Sequence, residues 1–152
     1  SINAPVVRSH PSIYYIDPGN RSNLRCALCP TRYSENDIDM PRGFMSDKLY
    51  LSILDKIKDY SIELHLYNWG EPLLHPWITE FISQASSRNI YTNISTNFAL
   101  PQSEESLYNL ITSGLGLLHV DVDGITQDFY EKYRIGWKLE IVLTNFKNCH
   151  LH

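Results

Sequence analysis

The order of apolar runs and turn signals predicts an α/β fold, with parallel strands joined by helices into an α/β layer or an arc of a (β/α) barrel. Short β-branched and aromatic runs alternate with amphipathic helical stretches about four times over. Connections of helix length call for parallel strands and right-handed crossovers. The loops rich in cysteine, glycine, proline and acid all follow the carboxyl ends of predicted strands, the edge where ligands bind in such folds.

Ser12 to Asp17, an aromatic and β-branched run closed by Pro18-Gly19-Asn20, reads as the first strand. A long polar loop from Arg21 to Phe44 holds Cys26, Cys29, Asp37 and Asp39. Ser46, with Asp47 behind it, then opens a helix whose inward stripe is expected at Leu49, Ile53, Leu54 and Ile57, with Lys56 and Lys58 suiting its last turn. Ile62 to Tyr67 alternates apolar and polar residues as a second strand and ends at Asn68-Trp69-Gly70-Glu71-Pro72. Pro76 suits the first turn of a second helix with Trp77, Ile78, Phe81, Ile82 and Ala85 on its apolar face.

Ile90 to Thr96 is the third strand. Ser103, Glu104 and Glu105 open a helix with Leu107, Leu110 and Ile111 inward, closing at Gly114. Leu117 to Asp121 is the fourth strand, before Asp123-Gly124. Thr126 caps a helix carrying Phe129 and Tyr133. Leu139, Val142, Leu143 and Phe146 fit a last helix, although Leu139-Glu140-Ile141 also reads as a strand.

The 152 residues, 43% of them hydrophobic, suffice for one globular domain with its own core, so a single domain spanning 1–152 is expected. A formal charge of -4 leaves no basic stripe for phosphate neutralisation and no charge run for a lipid surface, so neither nucleic acid nor membrane is an expected partner. No apolar stretch approaches a bilayer span, and SINAPVVRSHPS lacks the apolar centre of a signal peptide. Three cysteines, two of them in C-x-x-C, do not resemble a secreted disulfide framework, which makes the cytoplasm the expected compartment. The sequons at Asn20 and Asn93 carry little weight there.

Read from the residues alone, Cys26 and Cys29 admit a zinc knuckle, a redox pair or two buried thiols. A zinc site completed by Cys149, His150 or His152 is a further reading, against which those three residues read as a disordered terminal tail. Glu71 admits the reading of a solvated loop acid, Asp123 that of a turn residue and Arg134 that of a plain surface arginine. His65, on a strand, reads as a packed core histidine.

Together, SNLRCALCP at 22–30, YNWGEPLLHP at 67–76, ISTNF at 94–98, VDVDG at 120–124 and YEKYRIG at 130–136 resemble a radical S-adenosylmethionine enzyme. The similarity is to the peptide- and protein-modifying branch whose members often append a SPASM domain, and it runs from Tyr14 to Phe146. It implies a partial (β/α) barrel, a [4Fe-4S] cluster and S-adenosyl-L-methionine. In that family three cysteines of a C-x-x-x-C-x-x-C loop hold the cluster, and the fourth iron is left for the amino and carboxylate groups of S-adenosylmethionine. Reductive cleavage then yields a 5′-deoxyadenosyl radical that abstracts hydrogen from substrate; the cofactor carries the hard step.

The resemblance assigns metal-binding roles to Cys26, Cys29 and position 22, where the family's first cysteine is replaced by Ser22. An alcohol binds iron only as alkoxide, so a cluster on the two thiolates should be labile. Three explanations stand: a deliberate replacement, a natural loss in a decayed copy, or a true oxygen ligand. The resemblance places Leu28 near the adenine, Gly70 and Glu71 at the methionyl ammonium, and Ser95, Asn97, Asp121 and Asp123 at the ribose and methionyl groups. Arg134 resembles the arginine that pairs with the methionyl carboxylate, for which a guanidinium fork is suited.

A full domain of this family closes roughly six βα units, against about four here, so the chain reads as truncated. The fourth strand would then present an open edge, and a homo-oligomer or a separate chain covering it is expected. Two functions follow: a radical enzyme domain acting on an unknown substrate such as a peptide, impaired by Ser22 and the missing strands; or a non-catalytic relic or assembly module that keeps the fold and binds S-adenosylmethionine or a partner chain.

Overall fold

The computed structural model describes residues 9–29 and 41–149. Pro30, Asp37, Asp39, His150 and His152 lie outside the described residues. Four strands, β1 (Ile13–Tyr15), β2 (Glu63–His65), β3 (Tyr91–Thr96) and β4 (Leu117–Val120), form one sheet in chain order, every neighbouring pair parallel. Helices α1 (Asp47–Ile57), α2 (Ile78–Ser86) and α3 (Glu104–Thr112) are the crossovers, and α4 (Gln127–Tyr133) and α5 (Leu139–Cys149) follow β4. A strand order that never reverses steps each crossover in the same direction, the topology of a barrel arc and not of a doubly wound sheet.

Two helix starts follow directly from hydroxyl caps: Ser46 Oγ accepts from Leu49 N at 3.3 Å and Ser103 Oγ from Ser106 N at 3.1 Å. Gly114, at φ +90°, ends the α3 region in a conformation that favours glycine. Thr126 stands at the N-cap of α4 without a side-chain capping bond.

Alternation along the strands separates two faces. Tyr14, Ile16, Leu64, Leu66, Ile94 and Leu118 pack with α1, α2 and α3 in one core. Tyr15, Glu63, His65, Asn93, Ser95 and His119 take the opposite parity and form a polar face turned from those helices. A second core gathers Leu24, Cys26, Phe98, Leu107, Tyr130 and Val142, and so ties the cysteine loop to α3, α4 and α5.

Several inward positions differ from expectation. Tyr50, not Leu49, is buried on α1; its ring stacks on Phe81 at 3.9 Å and its hydroxyl donates to Phe81 O at 2.7 Å. Tyr130, not Phe129, is buried on α4, its ring packed in the second core and its hydroxyl without a hydrogen-bond partner among the described residues. Ile62, Trp77, Ile111, Leu143 and Phe146 are exposed, and Pro76 and Trp77 precede α2, Trp77 being its N-cap. Leu139–Ile141 is helix, because Val142 and Asn145 continue the buried stripe at helical spacing. Cys149 is not part of a tail: it is the last residue of α5, half-buried against the second core.

Candidate functional site

The loops after β1 and β2 are joined by their backbones. Glu71 N donates to Arg21 O at 2.7 Å, and Trp69 N donates to Asp17 Oδ2 at 2.9 Å. A Cβ on Gly70 would stand 1.9 Å from Gly19 O and 3.2 Å from Arg21 O. The glycine in this loop therefore permits a close approach of two protein backbones, and it also lines the cavity at the strand ends.

Glu71 is 5% exposed and bonded on both oxygens. Its Oε1 accepts from Leu73 N at 3.0 Å and Thr96 Oγ1 at 2.7 Å, and its Oε2 accepts from Asn97 N at 2.9 Å. Burial raises its pKa, opposed by these bonds and by the charge of Arg134. Three of the carboxylate's four lone-pair positions are thus used inside the protein, and one on Oε2 remains.

Ser22 Oγ accepts from Leu24 N at 3.1 Å, a local turn that shapes the start of the cysteine loop. Asn97 Nδ2 donates to Asn23 Oδ1 at 2.9 Å and fastens this loop to the end of β3. Cys29 N bonds Cys26 O at 3.2 Å across Ala27 and Leu28, and Ala27 N bonds Tyr133 O at 3.3 Å. The Leu28 side chain, 84% exposed at the tip of that turn, is not among the residues lining the cavity.

Arg134 joins the loop to β4. Its Nη1 donates to Cys26 Sγ at 3.2 Å, its Nε to Asp123 Oδ2 at 2.5 Å and its Nη2 to Asp121 O at 3.4 Å. Burial works against the guanidinium charge, but Cys26 and Asp123 more than offset it and raise the Arg134 pKa. Burial likewise pushes the Cys26 thiol up, partly countered by Arg134. Ser95 Oγ donates to Asp121 Oδ2 at 2.6 Å.

These groups border one cavity of about 120 Å³ at the carboxyl ends of the strands. Ser22, Cys26 and Cys29 line it from the β1 loop, Gly70 and Glu71 from the β2 loop, and Ser95, Asn97, Asp121 and Arg134 from the far side. Asp123 stands behind Arg134 and does not line it. Leu24 and Tyr67 also line the wall and were not singled out from sequence, although Tyr67 shares the parity of Glu63 and His65. A larger hollow of about 650 Å³ between α4 and α5 holds none of these groups.

The donor set answers to the expected cofactors unequally. Hydroxyl, amide, carboxylate and guanidinium groups around one cavity suit a polar, zwitterionic ligand with a ribose. Two thiols and an alcohol on one loop suit the position of a cluster but fall one thiolate short of the family's set. Among the described residues no three His, Cys, Asp or Glu side chains converge as a metal site, so Cys149 does not complete a zinc set with Cys26 and Cys29.

A family model described as the Radical SAM superfamily matches residues 16–152. The tungsten-containing aldehyde ferredoxin oxidoreductase cofactor-modifying protein of Pyrococcus furiosus is 30% identical over 111 residues, covering 72% of this chain and 30% of the relative. The PqqA peptide cyclase of Granulibacter bethesdensis is 29% identical over 115 residues, covering 74% of this chain and 29% of the relative. The chain therefore spans less than a third of these curated relatives. The crystal structure of Streptococcus suis SuiB bound to S-adenosylmethionine shares the fold with a TM-score of 0.77, at 19% identity over 94% of this chain and 32% of that one. With a parallel strand order that never reverses and a family match over nearly the whole sequence, this chain belongs to the radical SAM superfamily, whose cofactors are a [4Fe-4S] cluster and S-adenosylmethionine.

Proposed function

We propose that residues 1–152 form a single radical SAM domain, shorter than the full barrel, that binds S-adenosylmethionine and a weakly held [4Fe-4S] cluster in the cavity at the strand ends. The observation that supports this best is the gathering of Ser22, Cys26 and Cys29 with Glu71, Asp121 and Arg134 around one cavity. Cys26 and Cys29 would hold the cluster, and Ser22 would stand at the third position. When bound, the cofactor pair supplies reductive cleavage of S-adenosylmethionine and hydrogen abstraction from substrate.

The protein's part is orientation. Glu71 fixes the β2 loop to the end of β3 and offers its remaining Oε2 lone pair to the methionyl ammonium. Arg134 offers charge to the methionyl carboxylate, and Ser95, Asn97 and Asp121 meet hydroxyls and the amino acid moiety. Leu28, at its exposed turn, covers the adenine once the ligand is seated, and Asp123 holds Arg134 in place. A peptide substrate accords with relatives that include a peptide cyclase. The edge of β4 has no strand partner among the described residues and is open to a second copy, a partner chain or further strands of a longer chain; a monodisperse monomer of residues 1–152 in light scattering would remove the first two.

The alternative is a relic or assembly module, favoured by the alcohol at position 22 and by the engagement of Ser22 Oγ with Leu24 N. Anaerobic reconstitution with iron and sulfide, followed by electron paramagnetic resonance of the reduced protein with and without S-adenosylmethionine, separates the two. A [4Fe-4S] signal that shifts on adding the cofactor is expected, more intense and longer-lived in Ser22→Cys. No signal in either form would favour the relic.

A further inference from the structure

On the sheet face turned from the helices, three ionisable side chains are linked in a line that reaches the cofactor cavity at one end only, through Tyr67. Glu63, His65 and Tyr67 take alternate positions along β2 and its continuation. His65 Nε2 lies 2.8 Å from Glu63 Oε1, and His65 Nδ1 lies 3.0 Å from the Tyr67 hydroxyl. A carboxylate only accepts, so Nε2 carries the hydrogen of the neutral ring and Nδ1 is left to accept the Tyr67 O–H. Tyr15 stacks on the imidazole at 4.2 Å with 16° between the planes, and Asn93 Nδ2 donates to the same Glu63 oxygen. The ring and the acid are thereby held in one geometry.

The two ends of this line meet different surroundings. His65 is 9% exposed, whereas Glu63 keeps partial contact with solvent and Tyr67 lines the cavity that also holds Cys26, Ser95 and Asp121. A base within hydrogen-bond reach of a hydroxyl, itself oriented by a third group, is the arrangement that activates an oxygen for proton removal. The charged or titratable groups near Tyr67 are Tyr15 from β1, Asp121 beyond β4 and Glu63 on its own strand; burial first and then these neighbours raise its pKa. The phenol holds its proton at rest, and His65 Nδ1, 3.0 Å from its oxygen, is the base in hydrogen-bond reach.

We propose that Tyr67, backed by His65 and Glu63, removes a proton from a hydroxyl or ammonium group of a substrate seated against this polar face. The substrate's X–H bond breaks as its proton passes to the Tyr67 oxygen, and the original Tyr67 proton passes to His65 Nδ1. The electron pair stays on the substrate heteroatom and nothing is oxidised or reduced. Glu63 balances the imidazolium, and its solvent-facing carboxylate is the route by which the proton leaves. Tyr67 touches the substrate, and His65 and Glu63 position and discharge it. Only the identity of the accompanying reaction rests on the radical SAM reading.

Labelling with phenylmethylsulfonyl fluoride, mapped by mass spectrometry on the protein without added iron, tests this. The phenol oxygen displaces fluoride from sulfur and needs the same proton removal. Tyr67 should label at least ~10-fold faster than the exposed Tyr91 and Tyr108 at neutral pH. His65→Gln should abolish that advantage and move the pH profile of Tyr67 labelling to that of phenol ionisation, a change a purely structural histidine would not produce. Unaltered rates at Tyr91 and Tyr108 report an intact fold, and where His65→Gln unfolds the chain, Glu63→Gln carries the same expectation. Tyr67 labelling no faster than Tyr91, or unchanged in rate and profile by these variants, overturns the relay. The result is independent of the cluster: an absent paramagnetic signal leaves the relay standing, and slow labelling leaves the cofactor reading standing.

Discussion

Gly70 and Gly19 meet backbone to backbone: a side chain on Gly70 would begin 1.9 Å from the Gly19 carbonyl oxygen and 2.8 Å from its carbonyl carbon. Neither contact is with a flexible side chain that could move aside. Gly70→Ala must therefore push the β2 loop off the β1 loop, breaking the Glu71 N to Arg21 O bond. A cost of about 3 kcal/mol, at the upper end for overpacking, is expected in urea unfolding. Gly43→Ala, with open space at its Cβ, should cost little and serves as the control.

Glu71 gives the chain a pH dependence of stability whose sign is opposite to that of a salt-bridged acid. Its folded pKa lies above the ordinary carboxylate value, because burial outweighs its three hydrogen bonds and Arg134. The folded chain then holds the proton more tightly than the unfolded one. Its contribution is full at low pH and declines as pH rises from the ordinary carboxylate range through the raised value. Unfolding midpoints measured across this window should fall in the native chain. In Glu71→Gln, which cannot ionise, that part of the decline should vanish. A difference between the two chains that does not vary with pH would contradict the assignment.

The residue pattern already carried the alternation along β2 and the hydroxyl caps at Ser46 and Ser103, because each depends on neighbours along the chain, whereas the grouping of Ser22, Cys26, Cys29, Glu71 and Asp121 at one edge came from the family resemblance. It could not carry what depends on contacts between distant segments. Apolar counting chose Leu49 and Phe129 over Tyr50 and Tyr130, since the hydroxyl partner that makes Tyr50 burial tolerable, Phe81 O, is 31 residues away. Gly70 and Glu71 were visible as a motif, but their partners Gly19, Thr96 and Asn97 were not. Tyr67 and Asn145 were missed because a polar residue of mixed character looks the same in sequence whether it is solvated or bonded inside.

Burial and Arg134 pull the ionisation of Cys26 in opposite directions. The thiol's pKa is raised by burial and lowered by Arg134, whose Nη1 donates to Sγ. Arg134→Gln removes the charge, so the Cys26 midpoint should move further up in a titration of thiolate absorbance. Cys149, raised by burial alone, should titrate as before. Less thiolate also means less iron captured, so reconstitution at neutral pH should yield less cluster than in the native chain. A Cys26 midpoint that does not move would show that Arg134 acts on Asp123 alone.

Asn145, 1% exposed on α5, closes the turn that follows β3. Its Nδ2 donates to Phe98 O at 2.9 Å and Leu100 O at 2.7 Å, and its Oδ1 accepts from Gln102 N at 3.1 Å. Phe98 sits at φ +52°, a left-handed conformation uncommon for an aromatic residue, and the bond to its carbonyl helps to hold it there. The same turn begins at Asn97, whose backbone N–H and side chain reach Glu71 and Asn23 in the site. Asn145→Ala strands two carbonyls and an N–H away from water, at ~1–3 kcal/mol for each group left unpaired. Asn145→Asp keeps the acceptor for Gln102 but sets a carboxylate against two carbonyl oxygens, so it should be no better than alanine although it is closer in shape. If α5 serves only as a lid on the second core, the two variants should instead differ by volume, with aspartate the milder. Hydrogen exchange at Asn97 and Phe98 distinguishes the cases: accelerated exchange at both amides in each variant is expected where Asn145 pins the turn that presents Asn97 to the cavity.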